Sequence, residues 1–233
     1  MIIVKPQVLV PADAFDGHIA QKLERYARVC YKSEQQMNPG GDPDFLRRIV
    51  KSGHESIVEH EKVTVMFVID RGVSHEIVRH RVGAAYSQES TRYCRYSHSK
   101  FGSEITVIEP FFFAEDESAN RLWSESCAVA EKNYMALLEL GRSAQEARSI
   151  LPNSLKTEIV VTYNLREWRH FFRLRCDKAA HPQMRQVAIP LLLHFKTHLP
   201  VLFDDVPYDK EFPASHYAAM ITTDDLFQPL IPE

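Results

Sequence analysis

One segment of the chain collects side chains that bind anions. Residues 79–97, RHRVGAAYSQESTRYCRYS, combine three tyrosines and several hydroxyl groups with four arginines, Arg79, Arg81, Arg92 and Arg95. The planar guanidinium of arginine binds phosphate and carboxylate through two parallel hydrogen bonds. A tyrosine or histidine beside it can pack on an aromatic ring. The segment therefore predicts a nucleotide as the ligand.

The composition indicates how large this ligand is. The 233 residues carry a formal net charge of −3, so a broad positive surface for long nucleic acid is not expected. A small anionic ligand is the better fit. At this length the chain can bury a full core, which predicts one large domain or two small ones.

The cysteines and the first residues indicate the compartment. The four cysteines form no C-x-x-C pair, which argues against a zinc site and a disulfide framework; they are Cys30, Cys94, Cys127 and Cys176. The opening MIIVKPQVLVP lacks the basic region and cleavage site of a signal peptide, and no segment has the length of a membrane span. We expect a cytoplasmic protein without a metal ion.

Motifs of other site classes are absent or weak. His54 and His60 are six residues apart, whereas a helical zinc pair needs histidines four apart. We expect a pair of partly buried polar residues with local hydrogen bonds, and a ligand-binding role for the segment stays open. Neither G-x-G-x-x-G nor G-x-x-x-x-G-K-[ST] occurs, so a nucleotide must be held by side chains. Ser90 lies near His80 in sequence, which suggests the serine and histidine of a hydrolase triad. However, G-x-S-x-G is absent, and no aspartate or glutamate has a spacing that marks it as the acid orienting the histidine.

The alternative for the arginines is a solvated charge run or ion pairs with nearby carboxylates. A second set argues against it, because its members lie on segments apolar enough to pack: Arg148, Arg166, Arg169, Arg173 and Arg175. For Arg166 and Arg169 the alternative stays open that they only form a solvated helix face. The aromatic residues of the same segment are expected in the core rather than on a stacking platform; they are Trp168, Phe171 and Phe172.

The first half of the chain is predicted to hold two strands and three helices. Residues 2–10 alternate like a strand, and a helix is indicated by Ile19, Leu23, Tyr26, Ala27 and Cys30. After a loop at residues 37–44, Asp44 is the predicted cap of a short helix that stops at Gly53. Residues 62–70 alternate like a strand. Ser74 is the predicted cap of a helix that carries Arg79 and His80 near its end, before Gly83.

The second half is predicted to alternate strands with longer helices. Strands are expected at 104–110 and 156–163, and a short helix ends at Pro152. A long helix over 115–140 has an apolar side predicted to contain Leu122, Ala130, Leu137 and Leu138. A helix over 165–175 is followed by one over 183–199, where Pro190 is expected to cause a kink or a restart. No clear period follows Asp204. This order predicts an α+β, or mixed α/β, single domain with a mainly antiparallel sheet flanked by helices.

Four segments together resemble the signature of the flavin-dependent thymidylate synthase family. The first is R-H-R at residues 79–81, followed by a loop and by S-x-R-Y at residues 90–93. The second, GHESIVEH (53–60), resembles the family's G-H-x-[ST]-x-x-E-H element. EARSILP (146–152) resembles A-R-x-x-L-P, and NLREWRHFFRLR (164–175) resembles N-x-R-x-x-x-x-F-x-x-L-R; Asp177, His181 and Gln183 continue the likeness. The match spans residues 27–183 in the right order, so it is far more specific than one motif.

The resemblance implies an FAD enzyme that methylates C5 of a uridine monophosphate, as in the conversion of dUMP to dTMP. Methylenetetrahydrofolate would be the carbon donor and NADPH the reductant. It also implies a catalytic domain over residues 1–203 with the fold of the family, a C-terminal tail over 204–233, and a homotetramer with shared active sites. Neither nucleic acid nor a membrane is an expected partner.

The resemblance also implies three sets of site residues, carried over position by position. The flavin contacts are His54, Ser56, Glu59, Arg79, His80, Arg81, Asn164, Arg166 and His170. The nucleotide contacts are Glu76, Gln88, Ser90, Arg92, Arg148 and Arg175, with Arg148 reaching in from a neighbouring subunit. The catalytic residues are Arg175, Ser90 and His54. An arginine beside the pyrimidine favours negative charge on the ring oxygens and so makes C5 nucleophilic, while Ser90 is expected to hydrogen-bond the nucleotide rather than attack it.

One departure from the family pattern lies between R-H-R and the serine. The family has seven residues there, and Val82 to Glu89 makes eight, with the extra residue within residues 83–85. We expect this insertion to bulge the backbone between the flavin and nucleotide contacts. It motivates the hypothesis that UMP is the substrate, because a displaced loop would admit a 2′-hydroxyl. Cys30, where many relatives have serine, is a milder departure expected to weaken one flavin hydrogen bond.

Two other classes of protein remain as alternatives. A non-catalytic nucleotide- or RNA-binding module would bind no flavin, and its affinity for RNA would fall steeply with salt. The negative net charge counts against it. A degenerate family member kept for interactions would have no reason to retain polar groups that cost free energy to bury. The active enzyme is the preferred interpretation.

Overall fold

A five-stranded sheet forms the centre of the protein. The structure, a computed structural model, describes residues 1–97 and 102–225. The sheet has the spatial order β4-β6-β3-β2-β7 and consists of β2 (Gln7–Pro11), β3 (Lys62–Asp70), β4 (Ala84–Gln88), β6 (Lys156–Asn164) and β7 (Ala219–Thr223). The pairs β3–β6, β4–β6 and β2–β3 are antiparallel, and β2–β7 is parallel. β1 (Ile2–Val4) and β5 (Thr106–Ile108) form a separate parallel pair.

Helices flank this sheet and confirm the predicted mixed α+β class. They are α1 (Ile19–Tyr31), α2 (Pro43–Lys51), α3 (Arg71–Ile77), α4 (Glu117–Glu139), α5 (Ala144–Ala147), α6 (Leu165–Arg175), α7 (Pro182–His198) and α8 (Pro200–Phe203). Short 3-10 turns connect several of them. Within residues 1–97 and 102–225, no helix is both long and apolar enough to cross a membrane.

The predicted first strand is in fact two strands in two sheets. β1 pairs with β5, whereas β2 enters the central sheet beside β3. Lys5 and Pro6 separate them, and the ring of Pro6 removes a backbone N–H that a continuous ladder would use. The prediction of one strand over residues 2–10 is therefore wrong, because alternation does not tell which sheet a strand joins.

Aromatic side chains of α6 form the centre of the core. Trp168, Phe171 and Phe172 are fully buried, which confirms their predicted place. Trp168 stacks on Phe172 with ring centroids 5.4 Å apart, and its indole N–H donates to the carbonyl of Val63 at 3.0 Å. Truncating a buried aromatic to alanine typically costs about 3–5 kcal/mol. The core therefore fixes α6, and with it the polar side chains that α6 carries.

The long helix α4 confirms Leu138 on its predicted apolar side but not Leu122. Its bounds lie within two residues of the expected 115–140, but Leu122 is 62 % exposed. Trp123 faces inward instead, and its Nε1 donates to Ser154 Oγ at 2.9 Å. The buried positions of the helix are Cys127, Tyr134 and Leu138. Placing Leu122 on the apolar side is therefore wrong, because polar neighbours hide the true period of this helix.

Helix α3 begins earlier than predicted, and it ends before the R-H-R motif. The carboxylate of Asp70 caps it by accepting from the backbone N–H of Val73 at 2.8 Å. Ser74, the predicted cap, lies inside the helix and donates its hydroxyl to the carbonyl of Arg71 at 2.9 Å. Because α3 ends at Ile77, the R-H-R motif follows the helix rather than lying on it.

Helix α2 shows the same displacement. Asp42 is the cap and accepts from the N–H of Phe45 at 2.9 Å, and Pro43 is the first helical residue. Asp44, the predicted cap, therefore lies in the first turn, where its charge still favours the helix N-terminus. Gly53 follows the helix end with a φ of +80°, as expected for a glycine stop.

Helix α7 passes through Pro190 without a restart, because the chain after Asp204 supplies the missing hydrogen bond. A proline at position 190 deprives the carbonyl of Gln186 of its helical donor. The backbone N–H of Ala218 donates to this carbonyl at 2.9 Å. The expected restart is wrong for this reason.

The segment after Asp204 adds a strand to the sheet, although its sequence has no clear period. β7 lies in register with β2, with Ala219 opposite Gln7. Upstream, the carboxylate of Asp205 accepts from both terminal nitrogens of the buried Arg169, at 2.8 and 2.7 Å. Five residues with one neighbouring strand are too few to show a period. The domain boundary at residue 203 stays a prediction.

Candidate active site

The R-H-R motif lies between α3 and β4, beside the start of α6. β4 pairs with β6, which runs directly into α6 at Asn164. The backbone N–H of Asn164 donates to the carbonyl of Gly83 at 3.1 Å. Two of the predicted motifs, R-H-R and the helix over 164–175, thus meet in space although they are far apart in sequence.

Gly83 forms the turn between the R-H-R motif and β4. Its φ is +64°, and an added Cβ would lie 2.2 Å from Nδ2 of Asn164, so only glycine fits without movement. From Ala84 to Gln88 the residues of β4 pair one to one with β6. The bulge expected within residues 83–85 is therefore not at Ala84 or Ala85, and the effect of the insertion on the site stays a prediction. The turn of the longer segment lies at Gly83 itself.

Arg175 is held by hydrogen bonds from all three nitrogens of its guanidinium. Nε donates to Nε2 of His80 at 3.1 Å, and Nη1 donates to Oε2 of Glu76 at 2.8 Å. Nη2 donates to the backbone carbonyl of Glu76 at 3.0 Å. A guanidinium has five N–H donors, so two remain beyond these three hydrogen bonds. The structure thus brings together Arg175, Glu76 and His80, each predicted as a site residue.

His80 is a neutral imidazole. Burial, and secondly the positive charge of Arg175, lower its pKa to about 4. Its Nδ1 lies 2.7 Å from Oε1 of Glu167. Because Nε2 accepts from Arg175, the imidazole proton is on Nδ1 and points to Glu167. Burial raises the pKa of Glu167.

His80, Glu167 and His170 also have the donor types of a metal site, with ligand atoms within 4.8 Å of one another. Both ring nitrogens of His80 are already in hydrogen bonds, and a cation there would face the Arg175 guanidinium. His170 is exposed, with its ring centroid 5.5 Å from that of His80. We interpret the cluster as a hydrogen-bonded group, and the expectation of no metal ion stays a prediction.

The segment before Ser90 is anchored to the sheet and to α3. Nε2 of Gln88 donates to Ser74 Oγ at 2.9 Å and to Thr157 Oγ1 at 3.2 Å. Oγ of Ser90 accepts from the backbone N–H of Arg92 at 3.3 Å. This geometry fixes a turn around Ser90. It also argues against the triad alternative, since the ring of His80 is bound to Arg175 and Glu167.

Arg148 lies next to this turn in its own chain. Its Nη1 donates to Oγ1 of Thr91 at 3.4 Å, one residue after Ser90. Arg148 and Arg92 are both exposed. The structure therefore places two predicted nucleotide-binding arginines at the Ser90 turn. The expectation that Arg148 serves a neighbouring subunit stays a prediction.

Most of the predicted flavin contacts are exposed polar side chains, whereas His80 is buried and Asn164 is partly buried. His54 and Ser56 are exposed at a 3-10 turn, Glu55–Glu59, and His60 after it is exposed too, so the expectation that the two histidines are partly buried is wrong. Arg166 is paired with Glu59, N to O 2.5 Å, and Arg79 and Arg81 are exposed on either side of His80. Asn164 uses its side chain to cap α6, accepting from the N–H of Glu167 at 2.8 Å.

Sequence reasoning misses Glu167, the partner of His80. Asn164 and Glu167 have the spacing of a capping box, in which the glutamate would fold back onto the helix start. The side chain turns to His80 instead. The only sequence signal is that this glutamate is followed three residues later by His170. Glu89 is missed as well: its carboxylate accepts from Tyr96 at 3.0 Å and from Lys156 at 3.2 Å.

The fold and the site define a class of protein: a mixed α/β protein whose arginines surround a fixed Arg175 and a neutral, buried His80. The family model for thymidylate synthase complementing protein matches residues 17–201. The flavin-dependent thymidylate synthase of Corynebacterium aurimucosum is 36 % identical over 201 residues, 78 % of each chain. That of Geobacter sulfurreducens is 34 % identical over 186 residues, 77 % of this chain and 78 % of its own.

The chain therefore belongs to the flavin-dependent thymidylate synthase family. Its membership confirms the resemblance read from the motifs and the class of enzyme, a flavin-dependent methyltransferase. The family uses FAD, NADPH and methylenetetrahydrofolate. A solved structure, the UMP/dUMP methylase PolB from Streptomyces cacaoi bound with 5-Br dUMP, has the same fold, with a TM-score of 0.73. It is 22 % identical, over 88 % of this chain and 96 % of that chain.

Proposed function

We propose that the protein methylates C5 of dUMP to give dTMP, with methylenetetrahydrofolate as carbon donor, NADPH as reductant and FAD as bound cofactor. The observation that carries the proposal is Arg175. Its guanidinium is fixed by His80 and Glu76 and keeps two further N–H donors. Preorganised donors of this kind stabilise charge that develops in a transition state, because the protein need not reorganise at that moment.

The residues beside His80 fit a flavin dinucleotide. Its two phosphates need positive donors, and Arg79 and Arg81 are exposed; within the described residues neither forms an ion pair. The exposed imidazoles of His54 and His170 are available to the rings. When bound there and reduced by NADPH, the flavin would supply the hydride of the reductive step. The remaining work of binding, orientation and charge stabilisation belongs to the side chains.

Arg175 would polarise the pyrimidine. Uracil is a poor nucleophile at C5 unless negative charge is favoured on its ring oxygens, and a guanidinium next to such an oxygen favours it. Glu76 and His80 keep the guanidinium in one orientation, so its field is already aligned when the nucleotide binds. Ser90 would donate a hydrogen bond to the nucleotide, and Arg92 and Arg148 at the same turn would hold its phosphate.

This mechanism requires no protein nucleophile. Cys176 directly follows Arg175 in sequence, but it is fully buried, and burial raises the pKa of its thiol. A thiol that stays protonated is a poor nucleophile. Ser90 has no base, because His80 is bound through both ring nitrogens. These observations support activation of the pyrimidine by electrostatics alone.

UMP is the second candidate substrate. The eight residues between R-H-R and Ser90 favour it, and the structurally similar PolB is a UMP/dUMP methylase. The regular pairing of β4 up to Gln88 supports an unshifted Ser90 turn, so dUMP remains the first candidate. Discrimination would then depend on whether the turn at Gly83 leaves room for a 2′-hydroxyl.

The assembly and the location belong to the same proposal. A homotetramer with shared active sites is supported by exposed apolar side chains on α4, with Leu122 at 62 % and Val129 at 57 % exposure. The two residues are seven positions apart and so lie on one side of the helix, where another subunit could cover them. A cytoplasmic location is supported by the nucleotide metabolism of the relatives.

The proposed function is tested by spectroscopy and kinetics on the purified protein. We expect a flavin absorption band after purification or after addition of FAD. The kcat/KM should be highest for dUMP, lower for UMP and lowest for dCMP. A higher kcat/KM for UMP would move the assignment to the second candidate, and steep salt-dependent RNA binding without flavin would support the non-catalytic alternative.

A further inference from the structure

A buried carboxylate lies behind the histidine that holds Arg175. Glu167 is 6 % exposed and His80 is 4 % exposed, and Oε1 and Nδ1 are 2.7 Å apart. The backbone at Glu167 is fixed by the Asn164 cap and by the packing of its neighbour Trp168 in the core. Such a carboxylate is costly to bury unless it is hydrogen-bonded, and its hydrogen bond leads to His80.

Glu167 and Arg175, on opposite sides of the ring, favour the same tautomer of His80, with its proton on Nδ1. A neutral imidazole has one N–H and one acceptor nitrogen. Arg175 Nε can only donate, so Nε2 of His80 must be the acceptor. The other tautomer would direct two N–H groups at each other and leave Nδ1 facing Glu167 without a proton. A carboxylate beside Nδ1 therefore selects the tautomer in which His80 can hold Arg175.

We propose that Glu167 is a positioning residue of this enzyme: it acts through His80 to keep Arg175 in the orientation that faces the nucleotide. The role of Arg175 in the reaction rests on the proposed function above. The guanidinium is then fixed on two sides, by Glu76 and by the pair of His80 and Glu167. Loss of Glu167 frees the His80 ring, and Arg175 keeps only its hydrogen bonds to Glu76.

The kinetic test compares two substitutions at this position. Glu167→Leu removes the acceptor at similar size, and Glu167→Gln keeps an oxygen that can accept from Nδ1. We expect kcat with dUMP to fall on the order of 10–100-fold in Glu167→Leu, as for loss of a partner that orients a functional histidine. KM for dUMP should change much less, and Glu167→Gln should recover most of kcat.

The matched control is Glu24→Gln, which alters another buried carboxylate. Glu24 is 1 % exposed on α1 and pairs with Arg28 at 2.6 Å. We expect this variant to lose stability and keep the kcat of the folded protein. A purely structural role for Glu167 predicts the same behaviour for Glu167→Leu, and this result would overturn the proposal.

The tautomer gives a readout that does not depend on turnover. Nuclear magnetic resonance of histidine-labelled protein, with His80 assigned from a His80→Gln variant, should show the Nδ1–H form in the wild type. Glu167→Leu should populate the Nε2–H form. An Nε2–H wild type overturns the proposal even if the leucine variant fails to fold. A wild type that makes no dTMP overturns the proposed function instead, whereas an active wild type with an unaffected leucine variant overturns only the role of Glu167.

Discussion

Gly83→Ala tests the turn that joins the R-H-R motif to β4 and α6. At a φ of +64° an L-residue costs about 1–2 kcal/mol, and the new Cβ would lie 2.2 Å from Nδ2 of Asn164. Asn164 must then move and lose its cap on α6, which is worth about 1 kcal/mol. We expect a total loss of about 2–3 kcal/mol, measured as the free energy of unfolding in urea.

Two further variants separate the two contributions. Gly141→Ala is the matched control, because Gly141 has a φ of +82° and no atom within 4 Å of an added Cβ; it should cost only the conformational part. In an Asn164→Ala background the cap is already lost, so Gly83→Ala should cost about 1 kcal/mol less than in the wild type. The reasoning is refuted if Gly83→Ala costs no more than Gly141→Ala, or if the double-mutant cycle shows no coupling.

The remaining predictions concern charges at the site and in the core. The pKa of His80 is lower in the folded protein than in the unfolded chain, so protonation of His80 favours unfolding. The free energy of unfolding should therefore fall as the pH drops from about 6.5 toward 4. Between pH 7 and 5 we expect a loss of about 2 kcal/mol. Urea titrations should show that His80→Gln lacks this part of the pH dependence; an identical dependence in the variant would contradict the neutral buried state. Arg175→Lys keeps the positive charge but loses the planar set of N–H donors, so we expect kcat with dUMP to fall on the order of 10²–10³-fold. A kcat within threefold of the wild-type value would count against the role of Arg175. Asp205→Ala removes two hydrogen bonds from the buried Arg169, which keeps the longer ion pair with Glu55 at 3.8 Å. The change should cost about 2 kcal/mol, less than the loss of one partner of a fully buried pair, because Asp205 is half exposed. A melting temperature equal to that of the wild type would contradict this.

Local sequence patterns predict the elements of this protein better than their connections. The bounds of α6 follow from the helical period of its aromatic residues, because this signal lies within one short segment. Which sheet β1 joins, and which residues supply the donor to the carbonyl of Gln186, depend on contacts between distant segments. Ala218 makes this second contact, and no local pattern encodes it.

Some residues of the site can be predicted from the sequence, and others depend on contacts between distant segments. The motifs indicate Arg175, His80 and Glu76 as site residues, and the structure brings these three together. Glu167 is not predicted, because its spacing from Asn164 has a simpler explanation as a capping box and its partner lies 87 residues away in sequence. The insertion behaves in a related way: residue counting places it within residues 83–85, and only the structure shows that the backbone turns at Gly83.

The most direct test of the proposed chemistry follows the carbon atom. The protein is incubated with dUMP, NADPH, FAD and methylenetetrahydrofolate labelled with ¹⁴C in the transferred carbon, and the nucleotides are separated. The account predicts labelled dTMP that forms only when both FAD and NADPH are present. Flavin-loaded wild-type protein that yields no labelled nucleotide would contradict it.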